Sequence, residues 1–388
     1  MRLERLPGQW DGLVVVRAGT FFNATRLADQ HIAHHLATLG VPTLYVDPPV
    51  SMMSPRNDPR LAVVLHEPPL RLLGPRLARL TPRVLPGKSR NGVIHLTDAL
   101  IRKQLRAASK ALDGNTRAVL SVAPRPGFGD FGEDLRVFWA RDDYAAGAAL
   151  MNLPVSRVAR DELRLARSAN LVIAVSTTLE DRWKSRGRPT VFIPNGCDAS
   201  GLAHVDAAVW PDDVTLPGPI LGVVGTLGER LDLDLLEMIA EQGHSLLLVG
   251  AKQKSFPAAR LLRLSRLPNV CWVGPKPYAK LPSYLRAIDV GLVPYQDSAF
   301  NRASFPLKTL EYLAAGRSVV TTDLPASLWL NTQLIRVASR DAFVAAVDQA
   351  VEEAKTRRGE SILREMRRAF AAQHDWSQRA KDILAQLP

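Results

Sequence analysis

Lys308 and Glu311 stand three residues apart in the run Ser304-Phe-Pro-Leu-Lys-Thr-Leu-Glu-Tyr-Leu-Ala-Ala-Gly316, where a helical pattern begins. Ser304 reads as an N-cap and Pro306 fits the first turn. A lysine in that turn opposes the helix dipole. Its placement makes sense if an anion docks on the helix N-terminus and Lys308 completes the site. Glu311 lies on the same face one turn deeper, while Leu307, Leu310 and Ala314 form the opposite, buried face. A cation for a diphosphate and a carboxylate for paired ribose hydroxyls is what a sugar nucleotide requires. A Lys308–Glu311 surface ion pair accounts for the same spacing.

A second constellation is the adjacent acids Asp142 and Asp143, just after the strand-like run Arg136–Ala140. In open α/β sheets ligands sit at the carboxyl ends of strands. Two neighbouring carboxylates raise one proton affinity toward the range of a general base. Capping of the following helix explains such an acid equally well, and the two roles are compatible, one acid each. Gly19 and Thr20 follow the first strand, as a substrate-side loop or as an ordinary strand–helix turn.

Other motifs carry less. Gly127-Phe-Gly-Asp-Phe-Gly132 matches a dinucleotide fingerprint by letters, but it precedes a strand, opens no helix and has an acidic middle, so it reads as a loop. Gly87-Lys88-Ser89 lacks the earlier glycine of a phosphate loop, since position 82 is proline. Asp232-Leu-Asp234 starts a helix, where acids favour the positive end. His31, His34 and His35 share a helix with no carboxylate at ligand spacing, so no metal site is expected.

The elements that must position these residues alternate between apolar runs and helical patterns, which reads as parallel sheet covered by helices. In the first half, strands are expected at 13–17, 43–46, 118–122, 136–140, 171–175 and 190–193, with an irregular Pro/Arg-rich stretch over 51–92. Pro211–Pro219 looks like a linker, after which strands at 220–224, 245–249, 270–273, 290–293 and 318–321 begin a second series, ending in a helix over about 361–387.

With 388 residues the chain is too long for one ordinary core. No apolar run reaches the roughly 18 residues of a membrane span, and the N-terminus lacks the apolar segment of a secretory signal. Cys197 and Cys271 form no Cys-x-x-Cys pair and fit a reducing cytoplasm. The charge is uneven: residues 1–200 hold 28 Lys+Arg against 18 Asp+Glu, and residues 201–388 hold 22 against 20. A basic half suits an anionic partner. Arg71, Arg76, Arg79, Arg83, Lys88 and Arg90, set among Leu and Pro, point to anionic lipid. A solvated, arginine-rich surface is the plain alternative, and no aromatic-basic reading motif supports nucleic acid.

The 304–321 segment resembles the C-terminal-domain signature of GT-B glycosyltransferases of the GT4-like (group 1) superfamily, in variants reading P-L-K-x-x-E-Y-L-A-A-G. Three more stretches agree in order: Phe192-Ile-Pro-Asn-Gly-Cys-Asp198, an interdomain segment; Gly222-Val-Val-Gly-Thr-Leu-Gly228, a glycine turn under the donor phosphates; and Asn269-Val-Cys-Trp-Val-Gly-Pro275 with Leu281-Pro-Ser-Tyr-Leu, beside the base. Ala140-Arg-Asp-Asp143 is locally similar to an inverting bacterial xanthan-type glucuronosyltransferase, whose base aspartate Asp142 would match. The departures are Ala303 where the E-x7-E pair has its first acid, Thr226 for the usual Arg, and Leu231 for the usual Lys. Arg230 either supplies the missing charge or faces solvent.

The resemblance implies two Rossmann-like domains facing across a cleft: 1–198 on the acceptor side, 199–360 for the nucleotide sugar, and a C-terminal helix, 361–388, returning to the first domain. It implies donor contacts at Gly225, Thr226, Arg230, Gly250, Val273, Gly274, Pro306, Leu307, Lys308 and Glu311, acceptor-side contacts at Gly19 and Thr20, and catalysis by Asp142 or Asp143. The expected activity is sugar transfer from a nucleotide sugar to a hydroxyl of a glycan or lipid-linked acceptor in cell-surface polysaccharide or glycolipid synthesis. No metal or cofactor is expected, because helix ends and cations stabilise the leaving diphosphate. The expected location is cytoplasmic, with peripheral contact to the inner membrane face. A non-catalytic GT-B scaffold that binds sugar nucleotide or a partner enzyme is the alternative from another class. A sugar-nucleotide epimerase lacks its acidic and histidine cluster here.

Overall fold

A computed structural model describes residues 9–388, apart from residues 25, 57, 88–91, 124, 126, 150–152, 331 and 357–359. The chain forms two compact units. One runs up to Val175 and adds Leu179–Ile193 and Arg379–Pro388; the other comprises Ser176–Thr178 and Pro194–Gln378.

The first unit is built on β1 (Leu13–Arg17), β2 (Thr43–Val46), β3 (Leu70–Gly74), β4 (Leu77–Leu80), β5 (Thr116–Ser121), β6 (Leu135–Ala140), β7 (Leu171–Ala174) and β8 (Thr190–Phe192). They form one sheet in the order β3-β4-β2-β1-β5-β6-β7-β8. All pairs are parallel except β3 with β4. The central runs are Val- and Leu-rich because helices cover both faces and leave no polar side. Leu13, Val15, Leu44, Leu105 and Leu112 are fully or nearly fully buried in one cluster beneath the Val93–Leu112 helix.

The β3–β4 hairpin lies inside the stretch expected to be irregular. Its β4 strand is buried although it carries Arg79, because Arg79 Nε donates to Asp47 Oδ2 at 2.6 Å. A buried arginine is tolerated where a carboxylate pairs with it, and a hydrophobic pattern does not register such a strand.

The second unit contains β9 (Ile220–Val224), β10 (Ser245–Val249), β11 (Val270–Trp272), β12 (Val290–Val293), β13 (Ser318–Thr322) and β14 (Ile335–Ala338). This sheet is parallel throughout, in the order β11-β10-β9-β12-β13-β14. Pro211–Pro219, expected as a linker, is packed within this unit: Asp213 accepts from the Tyr284 hydroxyl at 2.9 Å and pairs with Lys276 at 2.6 Å. The single helix expected over about 361–387 is two, Glu360–Ala372 and Trp376–Leu384. Asp375 explains the break, since its Oδ1 accepts the Ser377 N–H at 2.8 Å and caps the second helix.

Candidate active site

In the second unit, the turns at the carboxyl ends of β9, β10 and β11 meet one another. Gly225 N–H donates to Val249 O at 2.8 Å and Gly250 N–H to Gly274 O at 2.9 Å. The backbone angle φ is +131° at Gly225 and +154° at Gly250, which side-chain-bearing residues rarely adopt. A Cβ on Gly250 would stand 1.7 Å from Gly225 O, so the two turns approach this closely only with glycine at 250.

Lys308 comes to this turn from 83 positions further on: its Cε lies 3.3 Å from where a Gly225 Cβ would be. Its Nζ pairs with Glu311 Oε2 at 2.5 Å, and both side chains are largely covered. The ion pair expected from spacing therefore forms, and it forms against the glycine turn. The helix runs Leu307–Ala314 with Pro306 as its N-cap. Ser304 does not cap it; that residue closes the preceding Ala299–Ala303 helix, and its hydroxyl donates to Phe300 O at 2.9 Å. Pro306 is buried, Leu307 half-buried and Thr226 exposed; half-buried Val273 donates its N–H to Leu248 O at 3.1 Å.

Arg230 neither faces solvent nor joins the glycine turn as a free cation. Its guanidinium stacks on Tyr295 at 4.7 Å and Phe300 at 5.2 Å, and its Nε donates to Asn301 Oδ1 at 2.8 Å. Asn301, fully buried, returns Nδ2 to Arg230 O at 3.0 Å. This reciprocal clasp fixes the loop that follows the glycine turn. Ala303 is 2% exposed and its carbonyl accepts from Ser176 Oγ at 2.6 Å, so the missing acid has been replaced by packing. Tyr312, which residue spacing does not single out, underlies the turn: its hydroxyl accepts the Val224 N–H at 2.8 Å and donates to Gly222 O at 3.1 Å.

In the first unit, the loop after β1 is held by two buried acids that spacing does not single out either. Asp29 Oδ2 accepts the Gly19 N–H at 2.9 Å and the Thr20 hydroxyl at 3.1 Å. Asp47 Oδ1 accepts the Phe22 N–H at 2.8 Å, and burial pushes its carboxyl up against the opposing pull of Arg79 and Thr81. Tyr45 hydroxyl donates to Thr20 O at 2.7 Å. The Thr20 side chain is thus turned into the fold, and Gly19 is what the loop exposes.

Asp29 also pairs with Arg141, tying the β1 loop to the β6 loop. Asp142 and Asp143 follow at the carboxyl end of β6, both half-buried. Asp143 Oδ1 accepts the Ala146 N–H at 3.0 Å and pairs with Arg182 at 2.7 Å. Asp143 thus closes the turn after β6; the following helix, Val155–Ser168, starts at Pro154 with no side-chain cap, so neither acid caps it. A strongly perturbed carboxylate lies behind Asp143: burial, with Asp143 adding to it and Arg182 opposing, raises Glu162 to about 7.

The remaining motifs have structural roles. Glu133 accepts the N–H groups of Gly129 at 2.6 Å and Phe131 at 3.2 Å, which shapes the 127–132 loop. Asp232 caps its helix and pairs with Arg340 at 2.6 Å. Gly87 lies among the described residues but Lys88, Ser89 and Arg90 lie outside them. Of the basic residues assigned to lipid, Arg79 is buried against Asp47; Arg71 pairs with Glu67, and Arg83 donates to Leu65 O at 2.9 Å.

Residues 218–353 match the family model described as "Glycosyl transferases group 1". They are a group 1 glycosyltransferase domain. This domain carries Gly225, Arg230, Gly250, Val273, Gly274, Lys308 and Glu311. Over 225 residues the chain is 31% identical to TuaH of Bacillus subtilis (strain 168), described as a teichuronic acid biosynthesis glycosyltransferase. That alignment spans 56% of each protein, so the chain covers about half the length of this relative. Among solved structures, sucrose-phosphate synthase from Thermosynechococcus elongatus superposes with a TM-score of 0.71 at 16% identity, covering 97% of this chain and 98% of that one. HepE from Anabaena, in complex with UDP, gives 0.64 at 14% identity over 96% and 98%. WaaG, involved in lipopolysaccharide biosynthesis, gives 0.61 at 15% over 96% and 98%. With a parallel, helix-covered sheet in each unit, the fold is GT-B.

Proposed function

We propose that this chain transfers a sugar from a nucleotide-sugar donor to a hydroxyl of a glycan or lipid-linked acceptor, in cell-surface polysaccharide or glycolipid synthesis. The observation that carries this reading is the Lys308–Glu311 pair lying against Gly225 within a group 1 domain. On donor binding, Lys308 exchanges Glu311 for the diphosphate, and the freed Glu311 accepts the ribose hydroxyls. The helix that begins at Leu307 adds the partial positive charge of its N-terminus. The description of TuaH as a teichuronic acid enzyme supports a polysaccharide setting.

In the reaction, the acceptor oxygen bonds to the anomeric carbon while the bond from that carbon to the diphosphate breaks, its electron pair leaving with the diphosphate. The acceptor proton passes to a base. Asp142 is assigned that role for its place at the carboxyl end of β6, where ligands sit in open α/β sheets. Lys308 and the helix N-terminus stabilise the leaving diphosphate, so no metal is required. The test is nucleotide release from a panel of UDP-, GDP-, ADP- and dTDP-sugars, with and without EDTA, by wild type and Asp142→Asn. Full activity in Asp142→Asn would remove the base assignment, and EDTA-sensitive turnover would remove the metal-free one. The buried Ala303 favours the second reading, a scaffold that binds sugar nucleotide without turning it over; binding without release would establish it.

We further infer that the first unit meets an anionic membrane surface, placing the chain at the inner membrane face. Arg102, Lys103, Arg106 and Lys110 line a groove of about 420 Å³ on the Val93–Leu112 helix. Met52, Val63, Leu85 and Leu96 are exposed in the same unit. Exposed apolar residues with cations suit a lipid interface. No helix among the described residues is long and apolar enough to cross a membrane.

A further inference from the structure

The bend 301–305 leads from the Ala299–Ala303 helix to the Leu307–Ala314 helix that carries Lys308, and side-chain hydrogen bonds hold each of its residues. Asn301 is clasped to Arg230, and the Ser304 hydroxyl donates to Phe300 O at 2.9 Å. The other bonds come from far along the chain and end on backbone carbonyls. Thr178 Oγ1 donates to Arg302 O at 3.0 Å, and Ser176 Oγ to Ala303 O at 2.6 Å. Asn195 Nδ2 donates to Phe305 O at 3.0 Å. All three donors belong to the second unit: Ser176–Thr178 is part of it although the residues on either side are not, and Asn195 follows its next residue, Pro194.

Carbonyls at a helix end lack partners inside the helix and need donors from elsewhere. Water supplies them at a surface, but Ser176 is 1% and Asn195 9% exposed. Asn195 does this at a cost, since its Oδ1 is buried and meets no donor. An apolar side chain would remove that cost and leave Phe305 O without its donor. The bond to Phe305 O is therefore what an asparagine adds at position 195. Beyond Phe305 comes Pro306, whose ring restricts φ, here −72°, so the held carbonyl and the start of the helix are stiffly joined. At the other end, Arg230 ties Asn301 to the loop that follows the glycine turn. Lys308 Cε stands 3.3 Å from where a Gly225 Cβ would be, so its place depends on where this bend is held.

We propose that Ser176, Thr178 and Asn195 are positioning residues of the donor site: their hydrogen bonds to the carbonyls of 302, 303 and 305 fix the bend that sets Lys308 against Gly225. The inference rests on the reading of Lys308 as the diphosphate ligand and deepens it. It gives Asn195 of the Phe192–Asp198 segment a task in donor binding, exerted through Lys308.

The experiment is calorimetric titration of UDP, GDP, ADP and dTDP into wild type, Ser176→Ala, Asn195→Ala and Lys308→Ala, and into Ser176→Ala and Asn195→Ala each combined with Lys308→Ala. Ser176→Ala and Asn195→Ala should each weaken the nucleotide that wild type binds by about 3- to 10-fold, the worth of one hydrogen bond. In the Lys308→Ala background the same exchanges should cost less than about twofold, because the group they position is gone. A merely structural role would lower Tm and weaken binding equally with and without Lys308. Affinities within about twofold of wild type in both single variants, or equal losses in the two backgrounds, would overturn the proposal. Should Ser176→Ala or Asn195→Ala fail to fold, half-buried Thr178 gives the same test. Thr178→Val should weaken binding about threefold only where Lys308 is present, and Thr178→Ser should restore it; unchanged binding in Thr178→Val, or no recovery in Thr178→Ser, overturns the proposal equally. Binding of none of the four by wild type, or equal binding by Lys308→Ala, would overturn the donor reading itself, and the proposal with it.

Discussion

Tyr312→Phe removes one oxygen from the floor of the glycine turn and nothing else. The ring is fully buried between β9 and β12, whose ladder pairs Leu221 with Val290 and Gly222 with Gly291. Gly291 makes room for it, since a Cβ there would lie 2.3 Å from the ring. The hydroxyl, its proton held firmly by burial, bridges Val224 N–H at 2.8 Å and Gly222 O at 3.1 Å. Without it, the Val224 N–H loses its acceptor inside the core, at a cost of about 1–3 kcal/mol. The Gly222 carbonyl adds less, so about 2 kcal/mol is expected in total. For a unit of this size that lowers Tm by about 4–8 °C. Gly225 follows Val224 directly, so nucleotide affinity should fall several-fold as the turn loosens. Heat unfolding by circular dichroism and calorimetric titration with the nucleotide read both effects. A Tm within about 1 °C of wild type with unchanged affinity would refute the bridging role.

Asp29→Asn keeps the shape of the acceptor-side loop but leaves Arg141 without its carboxylate, and urea unfolding should show a loss of about 3 kcal/mol or more; a loss under about 1 kcal/mol would mean the pair holds nothing. Glu162, raised to about 7 from an ordinary 4.5, binds its proton more tightly in the folded than in the unfolded chain. Its contribution to stability is therefore full below the unfolded value and is lost as pH rises toward 7, by roughly 3 kcal/mol at most. Glu162→Gln should lack this fall in denaturation curves taken across that window, and parallel pH dependence would contradict it. In vesicle flotation, wild type should rise with anionic phosphatidylglycerol vesicles and not with zwitterionic ones. The combined changes Met52→Asp and Val63→Asp should abolish this, and no wild-type binding would remove the membrane surface.

What the sequence discloses follows what is local. β1, β2, β9, β10 and β12 are expected and found over the same residues, because unbroken apolar runs between turns have one interpretation. The β3–β4 hairpin fails that test, since Arg79 interrupts the run and its partner Asp47 is 32 positions away. The Ala299–Ala303 helix is a single turn, too short to show a period. The donor residues are legible because glycines, a lysine and a carboxylate have distinctive chemistry. Asp29, Tyr312 and Glu162 are not, since their tasks arise from pairings with Arg141, Val224 and Arg182 that only folding brings about. Asp142 and Asp143 look alike as neighbours in the chain; the Ala146 and Arg182 contacts that engage Asp143 come with folding.

The central claim is that the turn at Gly225 and Lys308 hold a nucleoside diphosphate. Calorimetric titration of wild type and Lys308→Ala with UDP, GDP, ADP and dTDP tests it most directly. One of the four should bind wild type, and Lys308→Ala should bind it about 10- to 100-fold more weakly, the worth of a hydrogen bond to a charged group. Equal affinity in the two proteins, or binding of none of the four by wild type, would contradict it.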